Sequence, residues 1–302
     1  MSYKAIFEKQ SGSTQLWIFF ALIMAGVLFA SIIGFIFSLI LSGETLSSTW
    51  TLRTLQFISA ISMFLLPSIA IAWLCSNKPE TFLQTKEKPS ANTLSLVFFS
   101  ILAISPAISL TAYFNQQISL PEFMAPIENW MQTQEDTVES VIASLLGEVG
   151  VVALISNLIV LALCAAVTEE FFFRGALQRI IGKWTNNHHK IIWGTAILFS
   201  AFHLQFYGFI PRMLLGAFFG YLLYWTQSIW IPVFAHFVNN TFAVIVGSNE
   251  KIKNDEIISG NIQGENLLTN VVLAAIFTTI FFYIVRKIKK QTSTQQIPII
   301  DN

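Results

Sequence analysis

Apolar residues run along this chain in long unbroken stretches, not in the period-two alternation of a half-buried strand or the single stripe of a surface helix. Eight stretches approach or exceed the roughly 20 apolar residues that a membrane-crossing helix needs. They are Leu16–Leu41, Leu55–Cys75, Thr93–Phe114, Val149–Phe173, Ile191–Phe206, Ile210–Thr226, Trp230–Gly247 and Leu267–Val285. The first is too long for the apolar core of a leader and lacks an A-x-A cleavage site, so it is expected to be retained as a span. The fifth, sixth and seventh are short and joined by tight turns. Pro67 and Pro106 fall inside the second and third, where a membrane helix tolerates a kink. The pattern predicts an all-α, polytopic bundle of about eight transmembrane helices, forming one membrane domain in three parts. Residues 1–148 hold three spans and an acidic loop, 149–250 hold four spans, and 251–302 hold the last span and a basic tail.

One long interval is polar. Asn115–Glu148 carries Glu122, Glu128, Glu135, Asp136, Glu139 and Glu148, with no Lys or Arg. Two readings stay open for it: an amphipathic helix on the outer membrane surface with Trp130 and Met131 toward lipid, or a solvated loop. The charges also orient the chain. Eight spans leave both termini on one side, and that side collects the Lys and Arg of residues 4–9, 78–88, 174–190 and 286–290. The other side collects Arg53, Arg212, Lys251 and Lys253. Because cytoplasmic loops carry the basic excess, both termini are expected in the cytoplasm of a multi-pass cell-membrane protein.

Composition supports this and excludes other classes. Of 302 residues, 54% are hydrophobic and 11% charged, and 28 are Phe; soluble domains run nearer about 25% charged. A net charge of zero offers no footprint for nucleic acid. Cys75 and Cys164 both fall in apolar runs and read as small buried hydrophobes.

Ionisable residues inside spans are costly and therefore mark function. Near the end of the fourth span lies Glu169-Glu170-Phe171-Phe172-Phe173-Arg174. Adjacent helical residues point about 100° apart. Glu170 and Arg174, four apart with the acid first, favour a local ion pair, which leaves Glu169 to face the bundle. The fifth span carries Phe199 and His203 on one face, and the seventh carries His236 and Asn240 with the same spacing. Each His taken alone reads as an interhelical hydrogen-bonding group. His188 and His189, beside Lys190, read as a solvated pair. Taken together, the groups hold the parts of a hydrolytic site. A carboxylate and an imidazole can deprotonate a water, and a second imidazole and a carboxamide can donate to an oxyanion. No Ser or Cys is forced beside either His, which favours water as the nucleophile.

The three motifs EEFFFR, FSAFH and HFVNN, in this order on successive spans, resemble the CPBP family of intramembrane proteases. This is the Abi or CAAX-protease group, which includes the Ras-converting enzyme. The resemblance is firmest over residues 157–246. It implies that Glu169 is the catalytic carboxylate, with His203 its partner in activating water. It implies an oxyanion hole of His236 and Asn240, supported by Glu170, Arg174 and Phe199. The family fold implied is an eight-span helical bundle whose cavity opens within the membrane toward the cytoplasm. His203 then falls near mid-membrane, so either its helix starts near Trp184 or the cavity is deep.

Three questions stay open at this stage. Two His and a carboxylate could hold zinc, through Glu169, His203 and His236. The absence of an HExxH pair, the spread over three helices and the poor ligand Asn240 favour a cofactor-free glutamate mechanism. The substrate expected is a membrane-associated peptide or protein. The alternative role is a catalytically silent immunity or scaffold protein that binds a partner or bacteriocin-like peptide. A proton-coupled transporter is disfavoured, because no paired half-repeats are visible.

Overall fold

A computed structural model describes residues 4–41, 45, 48–262, 264 and 266–295. Nine principal helices follow: α1 Gly12–Ile40, α2 Thr49–Cys75, α3 Ala91–Gln116, α4 Ala125–Leu146, α5 Val151–Ile181, α6 His188–Phe202, α7 Phe209–Thr226, α8 Trp230–Gly247 and α9 Leu267–Gln295. No strand occurs among the described residues, so the chain is an all-α polytopic bundle. The last residues of the predicted tail, 296–302, lie outside the described ones.

Local chemistry sets many of the helix starts. Ser11, Ser48 and Ser90 accept backbone N–H groups at the heads of α1, α2 and α3, meeting the donors a first turn leaves unpaired. Asn187 does the same for α6 through His189 N and Lys190 N. That cap places the start of α6 at His188, so the earlier start near Trp184 is not adopted. Gln227 closes α7 in the left-handed region at φ 55°, allowing α8 to return at once. Pro67 follows a π-helical stretch, Ile61–Leu65, inside α2. Gly26 lets α1 cross α2 closely, since a Cβ there would lie 2.0 Å from the Ser62 carbonyl oxygen.

Seven helices among the described residues are long and apolar enough to cross a membrane. The eighth predicted span is α6, and its 15 residues reach only about 22 Å at 1.5 Å per residue. It lies antiparallel beside α7: His188 stacks on Tyr224 at one end, and Ser200 Oγ donates to Phe209 O at the other.

The bundle has two chemically distinct ends. At the basic end Arg179 Nη1 donates to the Thr81 and Phe82 carbonyls, Lys183 Nζ donates to those of Glu8 and Gln10, and Gln291 Nε2 reaches Ser90. At the opposite end Asn115 binds the α6–α7 connection, donating to Phe206 O and accepting from Ile210 N. The acidic interval is a helix there, α4, which settles that alternative. The face expected toward lipid also carries protein contacts: the Trp130 ring, 46% exposed, lies 5.4 Å from that of Phe206, and Met131 lines a small cavity with Phe206 and Tyr207.

Candidate active site

Helix α5 changes pitch on both sides of its two acids. π-Helical stretches Leu158–Cys164 and Phe171–Leu177 flank a short α-helical piece, Ala165–Glu170. Such wide turns gather at functional positions because they re-aim side chains. Glu170 and Glu169 then diverge, as adjacent helical residues must. Glu170 is fully buried and its Oε1 accepts from Arg174 Nη1 at 2.8 Å, the expected ion pair. The same oxygen accepts from His236 Nδ1 at 2.9 Å. Glu170 therefore sets the ring of a residue on a different helix, a role that sequence spacing does not display.

Glu169 faces the other way. Its Oε2 lies 3.8 Å from His203 Nε2 and 3.9 Å from His236 Nε2. Those separations are too long for direct hydrogen bonds and suit one water bridging all three. The tautomers follow from the second ring nitrogens. His203 Nδ1 donates to Phe199 O at 2.8 Å, and His236 Nδ1 donates to Glu170. Each ring then presents its Nε2 toward Glu169.

Around this point the packing is aromatic. The Phe199 ring lies 5.0 Å from His203, and the Arg174 guanidinium carbon sits 4.4 Å over it. Phe219 stacks on His236 at 5.2 Å. Gly216 accepts Arg174 Nη2 through its carbonyl at 2.8 Å, and a Cβ there would come within 2.9 Å of Phe199 and 3.2 Å of Arg174 Nη2. Glycine is thus required for helix α7 to close on the ion pair. Neither Gly216 nor Phe219 belongs to any of the three motifs, and their roles depend wholly on how α7 docks.

The other candidates are placed as follows. Asn240 lies on α8 beyond His236, where its Nδ2 donates to Leu161 O at 3.2 Å and its Oδ1 accepts from Asn239. Its printed bonds are to the α5 backbone and its neighbour. His188 and His189 sit at the basic end against Tyr224 and Tyr221, remote from Glu169. Among the described residues, no three His, Cys, Asp or Glu side chains form a group suited to a metal ion.

The site has a floor and a roof. Toward the basic end, Phe172 and Phe173 are 1% exposed, Phe199 3% and Arg174 1%. Toward α4, the His203 side chain is 28% exposed and that of Glu169 17%. Leu204, at φ 52°, turns the chain out of α6 just after His203. Gln205 follows, accepting from Arg212 Nη1 and Nη2 through its carbonyl and Oε1, and donating to Glu135 Oε1 on α4 at 3.3 Å. Burial pushes the Glu135 carboxyl above its ordinary value, with smaller opposing effects from Tyr207, Arg212 and Gln205. Two of the four cations counted on the outer side are built into structure here. Arg212 holds the connection after His203. Arg53 is 2% exposed and ties Glu148 (2.7 Å) and Asn157 (2.9 Å) together below α4. A lone Arg in the first turn of an apolar run was the available signal for Arg212.

Residues 151–242 match a family described as type II CAAX prenyl endopeptidase Rce1-like. That segment contains all three motifs, so the resemblance read from them is found. Over 88 residues the chain is 32% identical to an uncharacterized protein, YpbD, of Bacillus subtilis (strain 168). The alignment covers 28% of this chain and 42% of that protein. No solved structure matches.

Proposed function

We propose that the chain is an intramembrane endopeptidase that hydrolyses a peptide bond with water activated by Glu169 and His203. The observation that carries this is the convergence of Glu169 Oε2 on two imidazole nitrogens, at 3.8 and 3.9 Å. The Rce1-like match to the segment holding them supports it.

In this reading Glu169 accepts a proton from the bridging water while His203 Nε2 accepts its second hydrogen bond. The hydroxide attacks the scissile carbonyl, whose oxygen becomes an oxyanion. His236 meets that oxygen through Nε2, the ring being held by the bond from its Nδ1 to Glu170. Asn240 contributes its second Nδ2 hydrogen. On collapse, the proton held by Glu169 passes to the leaving amine. No metal takes part, and both termini lie in the cytoplasm.

Terminal-peptide mass spectrometry tests the reading, by comparing cells that express wild type with cells that express Glu169→Gln. New peptide termini should appear only with wild type. His203→Ala should remove them as well, since general base catalysis is worth roughly 10²–10⁴. Asn240→Ala should cost about 10²–10³ in rate. Turnover should survive exhaustive chelation. A Glu169→Gln protein that still protects its host from a peptide toxin, with no Glu169-dependent termini detected, would replace this reading with a binding-only immunity role.

A further inference from the structure

The two sides of Glu169 differ in whether a peptide could pass. Below it, toward the basic end, α5 continues as Phe171-Phe172-Phe173-Arg174, and these side chains pack with Phe199, Phe19 and Phe64 into one buried cluster. A route through that floor would have to break the buried Glu170–Arg174 pair or displace a layer of rings. Above it, α6 stops at Phe202 and the connection 204–208 is partly exposed. That connection meets α4 through the Gln205–Glu135 side-chain bond at 3.3 Å, the Tyr207 backbone N–H on the same carboxyl, the Trp130–Phe206 ring contact and the small cavity shared with Met131. The firm anchor of α4 is elsewhere, at its C-terminal side, where Arg53 and Thr49 both bind Glu148 at 2.7 Å. The roof is held tightly at one edge and lightly over the site.

The charge distribution adds direction. The floor faces the end that carries the Lys and Arg of residues 78–88, 174–190 and 286–290, and the roof faces the end that carries the acidic α4. Under the rule that basic loops stay in the cytoplasm, the roof is extracytoplasmic. This runs against the cytoplasmic opening implied by family resemblance, because in this chain the polar groups lie beyond the aromatic layer from the basic end.

We propose that substrate reaches Glu169 from the α4 end of the bundle. On the endopeptidase reading above, the cleaved segment is one presented at the extracytoplasmic face, such as an exported or membrane-emerging peptide. Substituted-cysteine labelling tests the route without needing turnover. Cys75 and Cys164 are buried, free and replaceable by Ser. Single reporters are then introduced as His203→Cys in the site, Asp136→Cys on exposed α4 and Asn186→Cys in the exposed basic-end loop. Intact cells are treated with a membrane-impermeant maleimide, and size-exclusion chromatography checks the fold of each variant. The expected result is labelling at His203→Cys and Asp136→Cys in intact cells, and at Asn186→Cys only after permeabilisation. Labelling of His203→Cys only together with Asn186→Cys overturns the route. So does a folded His203→Cys protein that stays unlabelled under both conditions. Labelling of Asn186→Cys alone in intact cells, with His203→Cys following Asp136→Cys after permeabilisation, overturns the extracytoplasmic assignment. None of these outcomes depends on the endopeptidase reading, whose own failure would appear as Glu169-independent or absent cleavage.

Discussion

The floor and the roof of the site are built from opposite materials. The floor is rings and one ion pair, with exposures of a few per cent, and every element of it packs against another helix. The roof is an acidic helix, a five-residue connection and a chain of polar side chains, Glu135, Gln205 and Arg212, joined by bonds of 3.0 to 3.3 Å. Close packing resists displacement because any shift opens a void or a clash. Polar side chains near water exchange partners at little net cost. One surface can therefore fix the positions of Glu169 and His236, while the other can part for a chain to pass. On the proposed reading, the placing of Glu169 and the route to it fall to two different faces of one site.

That contrast can be broken first at the ion pair. Arg174→Ala leaves Glu170 buried without its cation, and such a loss costs about 3–5 kcal/mol. The detergent-solubilised protein should melt far below wild type or fail to fold. A variant that melted near wild type would show that the floor is not held by this pair. Next comes Gly216→Ala, which forces a methyl into the 2.9 Å gap beside Phe199. Overpacking of this kind costs about 1–3 kcal/mol, read as a lowered melting temperature. On the roof, Gln205→Ala should change stability by no more than about 1 kcal/mol while speeding maleimide labelling at His203→Cys. Equal destabilisation by Gly216→Ala and Gln205→Ala would erase the distinction between the two faces.

The smallest effect is on pH, and its sign differs along α4. Burial raises the Glu135 carboxyl. Its contribution to docking is present below the ordinary carboxylate value and is lost as pH rises through the raised one. The Thr49 hydroxyl and Arg53 hold the Glu148 carboxyl below the ordinary range. Its contribution is present above that range and is lost as pH falls through the lowered value. Hydrogen exchange should loosen near Glu135 as pH rises above the ordinary carboxylate range and near Glu148 as pH falls below it. Matching pH profiles at the two ends would count against this.

The polar groups of the candidate site were legible because the membrane makes them conspicuous. In runs of Phe, Leu and Ile, a Glu or His is expensive enough to be informative, and spacing of four put Glu170 with Arg174 and Phe199 with His203 before any coordinates. The helical class and the basic asymmetry followed from the same sparse charges. What spacing along one helix could not reveal was contact between helices. The bond from His236 to Glu170, the closure of Gly216 on Arg174, and the turn of α4 toward Phe206 link residues far apart in sequence. Met131 is an example: amphipathicity marked its apolar face, and only the fold set it beside Phe206 and Tyr207.

By itself, then, the order of residues determined a helical membrane protein and nominated its polar groups, since burial of charge in an apolar run is penalised wherever the run packs. Only the tertiary structure brought Glu169 within 3.8 and 3.9 Å of two imidazoles on other helices and set the ring of His236 on Glu170. It also decided on which side of the aromatic layer the site lies. Those outcomes depend on helix rotation and docking, and rotating a helix exchanges one side chain's partners for another's without changing its hydropathy.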